Sequence, residues 1–422
     1  MDARRALKDI HSWMHRAMDA LCAPAITLWQ ARLVKILSEK ANIPVVFRID
    51  SLATWDKKRT TYVEMLANPR FTPRVAVTSG KWTSSTEVHG KELATIIEEL
   101  RSDGVDAVDA MQLGPSDFIG RYGIVIDDDP WEYNKPRKWR TRRFDNYLRI
   151  IVPYTMGMTH RGSNYALSRP FRQAWHVYYP TQMQADISRE KSYRARVNGK
   201  YVGYPISDIL AKGSRKKIRG TNRVLHGHHE CPTIVWAPHF AASARLLRSG
   251  SFFEWQELLL GIAREGTSDL CWVFRPHPKL RSELEREWGA ERTTRYFLEW
   301  EKSGTVSYGK YAELLSASSG LLHDSKSFLG EYLFTEKPVA FLQRKDGRHL
   351  DNLNSIGKSC LEAHYSVSDA LELDTFIDVV LGKAADSMSD TRKEVLAHLG
   401  GERTNVAKAI VRDIDCELSP AP

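Results

Sequence analysis

In Arg275-Pro276-His277-Pro278-Lys279 three basic side chains alternate with two prolines, directly after the apolar run Trp272-Val273-Phe274. Each proline removes a backbone donor and restricts the residue before it, so His277 must sit in an extended loop at a strand end. An imidazole held there can take a proton or donate to a phosphate oxygen, and Arg275 can grip phosphate through two nitrogens. Thr-Ile-Val-Trp-Ala-Pro-His-Phe (233–240) delivers His239 to a second strand end by the same geometry.

A third candidate lies where Gly320-Leu321-Leu322 passes through His323-Asp324-Ser325-Lys326-Ser327 into a helical stretch. A helix starting at about Ser325 to Ser327 offers free N–H groups and the positive end of its dipole to a phosphate or diphosphate, and both serine hydroxyls add donors. Glu331, four residues beyond Ser327, falls on the same face and can accept from ribose hydroxyls. The plainer reading is that Asp324 or Ser325 only caps the helix.

Three further stretches carry less. Ile-Val-Ile-Asp-Asp-Asp-Pro (124–130) resembles the acidic Asp-any-Asp loop that holds a divalent metal in some glycosyltransferases, but it reads first as a solvated turn after a strand. His226, His228 and His229 have no spacing common to metal sites, so no metal is expected. The run from Lys135 to Arg149 holds seven Lys/Arg against one acid and reads as a solvated face open to an acidic acceptor or to lipid.

The elements that must position these residues alternate. Short β-rich runs at 43–49, 74–79, 122–127 and 149–154 are separated by helical stretches, and the pattern returns at 233–238, 270–276, 320–324 and 338–342. Such alternation predicts βαβ units and parallel sheets. The fold class is therefore α/β, with an N-terminal amphipathic helix (1–42), an N-terminal α/β domain (43–215), a basic linker (216–230), a C-terminal α/β domain (231–385) and a helical tail (386–422). Two doubly wound sheets joined by one linker put a ligand cleft between the carboxyl ends of their strands.

A chain of 422 residues is too long for one ordinary core. Its net charge of +9 favours an acidic partner, and the absence of aromatic–basic interleaving excludes nucleic acid from that role. The five cysteines are odd in number and scattered, which predicts neither a disulfide framework nor a zinc site and fits a reducing cytoplasm. No apolar run is expected to reach the ~18 to 20 residues that span a bilayer. The first helix, with Leu7, Ile10, Trp13, Met14, Met18 and Leu21 at helical spacing, packs on a domain or partner, or lies on a membrane surface.

Taken in order, Val-Gly-Tyr-Pro-Ile-Ser-Asp-Ile-Leu (202–210), Thr-Ile-Val-Trp-Ala-Pro-His-Phe (233–240), Val-Phe-Arg-Pro-His-Pro (273–278) and the stretch Gly320–Val339 resemble the signatures of the CDP-glycerol glycerophosphotransferase family, which includes teichoic-acid polymerases and capsule-polymer enzymes. The resemblance spans roughly residues 43–385. It implies a GT-B fold, with a CDP-linked donor held by the C-terminal domain and the acceptor facing the N-terminal one. It also implies transfer of glycerol phosphate or a similar polyol phosphate to a teichoic-acid-like or surface-polysaccharide acceptor, with CMP leaving and no cofactor.

On that reading Arg275, Asp324, Ser325, Ser327 and Glu331 bind the nucleotide and its phosphates, and His277 and His239 are the catalytic candidates. The implied partners are a nucleotide-activated donor, an acidic or lipid-linked glycan acceptor and an anionic membrane surface, at the inner face of the cell membrane. The chain departs from the family in one place. A His-Gly-Thr motif, whose histidine activates the acceptor hydroxyl, is replaced by Ile-Val-Pro-Tyr-Thr-Met-Gly-Met (151–158), leaving His160, His239 or Tyr154 for that task. The alternative is a GT-B glycosyltransferase that uses a UDP-, GDP- or CMP-linked sugar.

Overall fold

Strands buried on both faces read as continuous runs of branched and aromatic residues, and Ile-Pro-Val-Val-Phe-Arg-Ile, Thr-Ile-Val-Trp-Ala and Val-Ala-Phe-Leu become such strands. The computed structural model describes residues 2–78, 86–211, 231–240, 250–266, 269–347, 350–401 and 404–419. Two units emerge: residues 1–157, 161–208 and 400–422 form the first, and residues 158–160 and 209–399 the second. The expected linker and its three histidines lie outside the described residues.

In the first unit β1 (Ile43–Ile49), β2 (Phe71–Val77), β3 (Ala107–Asp109), β4 (Ile124–Asp127), β5 (Leu148–Ile151), β6 (His176–Tyr179) and β7 (Gly199–Tyr201) make one sheet in the order β3-β2-β1-β4-β5-β6-β7. All pairings are parallel. The order reverses between β1 and β4, so the loops after these strands meet at the topological switch point.

The helix Asp2–Ser38 adds Leu33 and Leu37 to this unit's core, while Trp13, Met14, Leu21 and Leu28 upstream are exposed. Contrary to expectation, Ala20–Ser38 is by length and composition apolar enough to cross a bilayer, because only Arg32 and Lys35 interrupt it. The C-terminal tail also divides. Ser389–Leu399 belongs to the second unit, whereas the helix Val406–Leu418 buries Val406, Ile410, Ile414 and Leu418 in the first unit's core. Asp208 starts that helix by accepting from the N–H groups of Val406 and Ala407 at 3.0 and 2.8 Å.

In the second unit β8 (Thr233–Ala237), β9 (Cys271–Phe274), β10 (Thr305–Val306), β11 (Gly320–His323), β12 (Val339–Leu342) and β13 (Tyr365–Val367) pair in parallel in the order β10-β9-β8-β11-β12-β13. Here the switch point lies between β8 and β11. Trp236 anchors the core, stacked on Phe252 at 5.6 Å and on Phe274 at 4.9 Å. The cysteines, expected to make no disulfide framework, make one disulfide: Cys22, Cys360 and Cys416 are free, and Cys231 and Cys271 are joined, Cα to Cα 5.9 Å. Distant in sequence, they meet because Thr233 pairs with Cys271 in the β8–β9 register.

Candidate functional site

The loops after β8, β9 and β11 carry the residues that the sequence singled out in the second unit. His239 follows β8 and His277 follows β9; their rings lie 5.6 Å apart, and Phe240 stands 4.5 Å from each. Lys279 places its ammonium 5.3 Å from the Phe240 ring. Both imidazoles are held neutral. Burial and then Lys326 and Lys279 lower His239 to about 4. Burial and then His239, Lys279 and Arg275 lower His277 to about 3. Lys326, Lys279 and Arg275 oppose protonation of these two rings.

The tautomer of His277 is fixed by its neighbour. The Lys279 N–H donates to Nδ1 at 3.1 Å, so the neutral ring carries its proton on Nε2. That nitrogen is a hydrogen-bond donor, suited to a phosphate oxygen. Acting as a base through Nε2 would require the opposite tautomer and the loss of the Lys279 bond.

The loop after β11 differs from the expected helix start. The α-helical turn is only Phe328–Glu331, followed by a 3-10 turn at Tyr332–Thr335. Four residues give little macrodipole, and Ser327 makes no side-chain cap bond. What remains is a tight turn in which Ser325 Oγ accepts from the Ser327 N–H at 3.3 Å, with Ser327 exposed and Ser325 buried.

Three of the expected ligand-binding residues act on the protein itself. Asp324 accepts from the N–H of His239 at 2.6 Å and from the N–H and Oγ of Ser251 at 2.5 and 3.1 Å, joining the loops after β8 and β11 to the start of the helix Phe252–Glu265. Burial raises its carboxyl to about 6 against those bonds. Arg275 donates to Ser307 Oγ at 3.1 Å and to the Gly309 carbonyl at 2.5 Å, and lies over the Tyr311 ring. Glu331 is buried and accepts from the Tyr311 hydroxyl. The structure thus gathers His239, His277, Lys279, Lys326 and the Ser325–Ser327 turn at one sheet end, with Asp324, Arg275 and Glu331 supporting them.

Sequence reasoning passed over His323. Its Nδ1 accepts from the Ser325 N–H at 3.2 Å, and its Nε2 lies 3.1 Å from Nε2 of His364. His364 Nδ1 donates to the Cys360 carbonyl at 2.8 Å, so its Nε2 is the acceptor and His323 is the donor. Only the position of His323 one residue before Asp324 hinted at a role.

In the first unit the Asp127–Asp129 stretch is not the solvated turn the sequence predicts. All three carboxylates are buried. Asp127 accepts from Arg48 Nε at 2.9 Å, Lys135 at 2.7 Å and Arg149 Nη1 at 2.9 Å; Asp128 accepts from Lys58 at 2.7 Å. Burial opposes the charge on Asp127, but Arg48, Lys135 and Arg149 outweigh it and hold the carboxyl well below its usual range. The basic run is corrected likewise: its ends, Lys135 and Arg149, are buried in this cluster, while Arg137, Lys138, Arg140, Arg142 and Arg143 are exposed. Of the residues named for acceptor activation, Tyr154 is a phenol that burial and then Tyr165 hold protonated, and His160 is exposed in the second unit.

No family model and no curated protein sequence matches the chain. Among solved structures it is similar to the wall teichoic acid polymerase TagF, at 12% identity and a TM-score of 0.56, over 97% of this chain and 98% of that one. A variant of that polymerase soaked with CDPG is similar at 12% identity and a TM-score of 0.54, with the same coverage. S. aureus MnaA in its structure with UDP is similar at 12% identity and a TM-score of 0.50, over 89% of this chain and 96% of that one. At these identities the likeness shows the fold, two doubly wound parallel-sheet units of the GT-B type.

Proposed function

We propose that the chain is a transferase of cell-surface polymer synthesis. Its second unit binds the diphosphate of a CDP-activated polyol, and glycerol phosphate or a similar polyol phosphate passes to a teichoic-acid-like or surface-polysaccharide acceptor as CMP leaves. The observation that carries this reading is the placement of Lys279, Lys326 and Arg275 about the neutral rings of His239 and His277 at the sheet end of the second unit. Two neutral histidines crowded by lysines describe a place for an anion. A diphosphate there neutralises Lys279 and Lys326, takes a hydrogen bond from His277 Nε2, and meets the Ser325–Ser327 turn, so charge on the leaving CMP is stabilised without a metal.

The ordered motifs and the structural likeness to TagF support a CDP-polyol donor. The likeness to MnaA with UDP supports the second reading, a glycosyltransferase with a nucleotide sugar. Exposed Trp13, Met14, Leu21 and Leu28, together with the exposed arginines between residues 137 and 143, favour work at an anionic membrane face.

Thermal-shift titration with CMP, CDP, CDP-glycerol, UDP and GDP tests the donor. A ligand at ~100 times its Kd stabilises by about 2.7 kcal/mol. Stabilisation by cytidine nucleotides, lost in Lys279→Ala and Lys326→Ala, is the expected result. Stabilisation by UDP or GDP alone selects the nucleotide sugar, and none by any nucleotide sinks the reading.

A further inference from the structure

The helix Asp2–Ser38 carries two apolar faces. Ala23, Ile26, Leu33 and Leu37 recur at helical spacing and are buried against the first unit, none more than 3% exposed. Met14, Met18, Leu21, Ala25 and Leu28 recur alternately four and three residues apart, which gathers them on another side. Leu28 stands two residues beyond Ile26, and Ala25 two beyond Ala23, so at ~100° per residue this second side points away from the protein. Met14 is 55% exposed, Met18 46%, Leu21 76% and Leu28 72%.

We infer that this helix is an in-plane anchor: its outward face sinks into one leaflet of an anionic bilayer, with Arg142, Arg143 and Phe144 as a second contact beside it. The inference rests on the membrane-face reading above and fixes which surface meets the lipid and how.

Crossing is excluded by the inward face. Ala20–Ser38 is long and apolar enough to span a bilayer, yet a span would draw Leu33 and Leu37 out of the first unit's core. It would also break the bonds made by polar groups on the protein side. Gln30 donates to the Gln173 carbonyl at 3.0 Å, and Arg194 donates to Thr27 Oγ1 and Gln30 Oε1 at 3.0 and 3.1 Å.

The second contact is fastened to the first. Trp29 Nε1 donates to the Asp145 carbonyl at 3.0 Å, and its ring meets Phe144 edge-on at 6.0 Å. Phe144 is 48% exposed, and Arg142 and Arg143 are exposed before it. Arg32 continues the outward stripe one turn beyond Leu28, its guanidinium 5.5 Å over the Trp29 ring. Apolar side chains flanked by arginines match a leaflet whose headgroups carry phosphate. A second copy of the chain fits less well. Trp13, Pro24 and Ala31 widen the exposed face beyond a two-helix seam, and pairing would bring Arg32 into that seam. At a bilayer the Arg32 stem lies along the apolar surface while its head reaches phosphate.

The test is co-sedimentation of the full chain, without nucleotide, with vesicles of phosphatidylglycerol and phosphatidylcholine and with vesicles of phosphatidylcholine alone. The native chain should bind the mixed vesicles, bind the neutral ones more weakly, and come off in alkaline carbonate. Leu21→Ser combined with Leu28→Ser should weaken partitioning at least ~100-fold. Arg142→Gln combined with Arg143→Gln should weaken it roughly 20-fold on mixed vesicles and leave binding to neutral ones little changed. All four side chains are exposed, so the urea midpoints of both variants should match the native one, which separates lost binding from lost fold. No binding to mixed vesicles, or binding unchanged in the leucine variant, overturns the anchor. Resistance to carbonate overturns the in-plane placement. A dimer seen by light scattering that the leucine variant breaks, in a chain that ignores vesicles, overturns the lipid and assigns the face to a second copy. CMP release is read separately: a chain that binds vesicles but leaves CDP-glycerol intact loses the donor reading and keeps the anchor.

Discussion

The carboxyl ends of the two sheets have the same topology and opposite electrostatics. At the β1–β4 switch point Arg48, Lys58, Lys135 and Arg149 are matched by Asp127, Asp128 and Asp129, so the first unit largely neutralises itself. At the β8–β11 switch point Lys279, Lys326 and Arg275 bear on His239 and His277, and Asp324, among the described residues, is held by the N–H of His239 and by Ser251 without a cation hydrogen-bonded to it. A buried, balanced cluster fixes loops and leaves little for a ligand to neutralise. An unbalanced cluster is poised for an anion. The difference teaches that the first unit should fail structurally when a charge is removed, and the second functionally.

The largest effect expected is on stability in the first unit. Asp127→Asn leaves Lys135 and Arg149 buried without their carboxylate, which costs about 3–5 kcal/mol. Urea denaturation followed by tryptophan fluorescence measures it. Lys279→Ala in the second unit should leave the same transition unmoved or slightly higher, because it relieves repulsion. Equal losses in both variants would break the contrast.

Next comes His277 and the use of its proton. His277→Ala should lower CMP release by roughly 100-fold, as for the loss of one preorganised donor at a developing charge. His277→Gln, which restores a donor in the same region, should recover part of that rate. A base cannot be replaced by an amide, so a glutamine variant as inactive as the alanine one would return His277 to the role of base. Initial rates at saturating donor separate the two.

How much of this was legible beforehand follows from what each residue does. Strands β1, β8 and β12 could be read closely because apolar runs bounded by turn residues specify them locally. The short strands β3, β7 and β13 left no such trace. The placement of His239 and His277 just beyond strand ends was legible because proline fixes their backbone. The hydrogen bonds of Asp324, Arg275 and Glu331 were not, since their partners Ser251, Gly309 and Tyr311 are brought near only by the fold. The Asp127–Asp129 stretch was misread for the same reason: three adjacent acids look solvated until Arg48 and Lys58 arrive from β1 and the segment beyond it.

The contrast also predicts a pH dependence. An unperturbed histidine titrates at ~6.5, whereas His239 and His277 titrate at about 4 and about 3 in the folded chain. Between these values the unfolded chain holds more protons at these two sites, so their contribution to the stability of the unliganded protein falls as pH drops below ~6.5, opposed by Asp324, whose raised carboxyl takes up a proton in the folded chain at about 6. A bound diphosphate raises both histidines, so CDP-glycerol, whose phosphates do not titrate in this range, should bind more tightly as pH falls, by up to tenfold per unit for each proton taken up. Calorimetry in buffers of different ionisation enthalpy counts those protons. Affinity that does not change with pH would mean that the anion does not meet the histidines.

The smallest effect tests how the second unit holds its switch-point loop without balanced charge. The chain from the Cys360 carbonyl through His364 and His323 to the Ser325 N–H is directional and neutral at every link. Burial keeps both rings uncharged, holding His364 at about 3 and His323 well below its ordinary value. His364→Leu removes the acceptor of the His323 Nε2 proton and should cost about 1–2 kcal/mol, the penalty for an unmet buried donor, against the larger loss in Asp127→Asn. The Ser325 turn would still be made but less firmly held, so the KM for CDP-glycerol should rise a few-fold with kcat little changed. Imidazole 15N shifts give the check: the native spectrum should show His323 with its proton on Nε2 and His364 with its proton on Nδ1. The reverse tautomers would mean that the loop is not fixed by this relay, and that the contrast between a charged and a neutral switch point is incomplete.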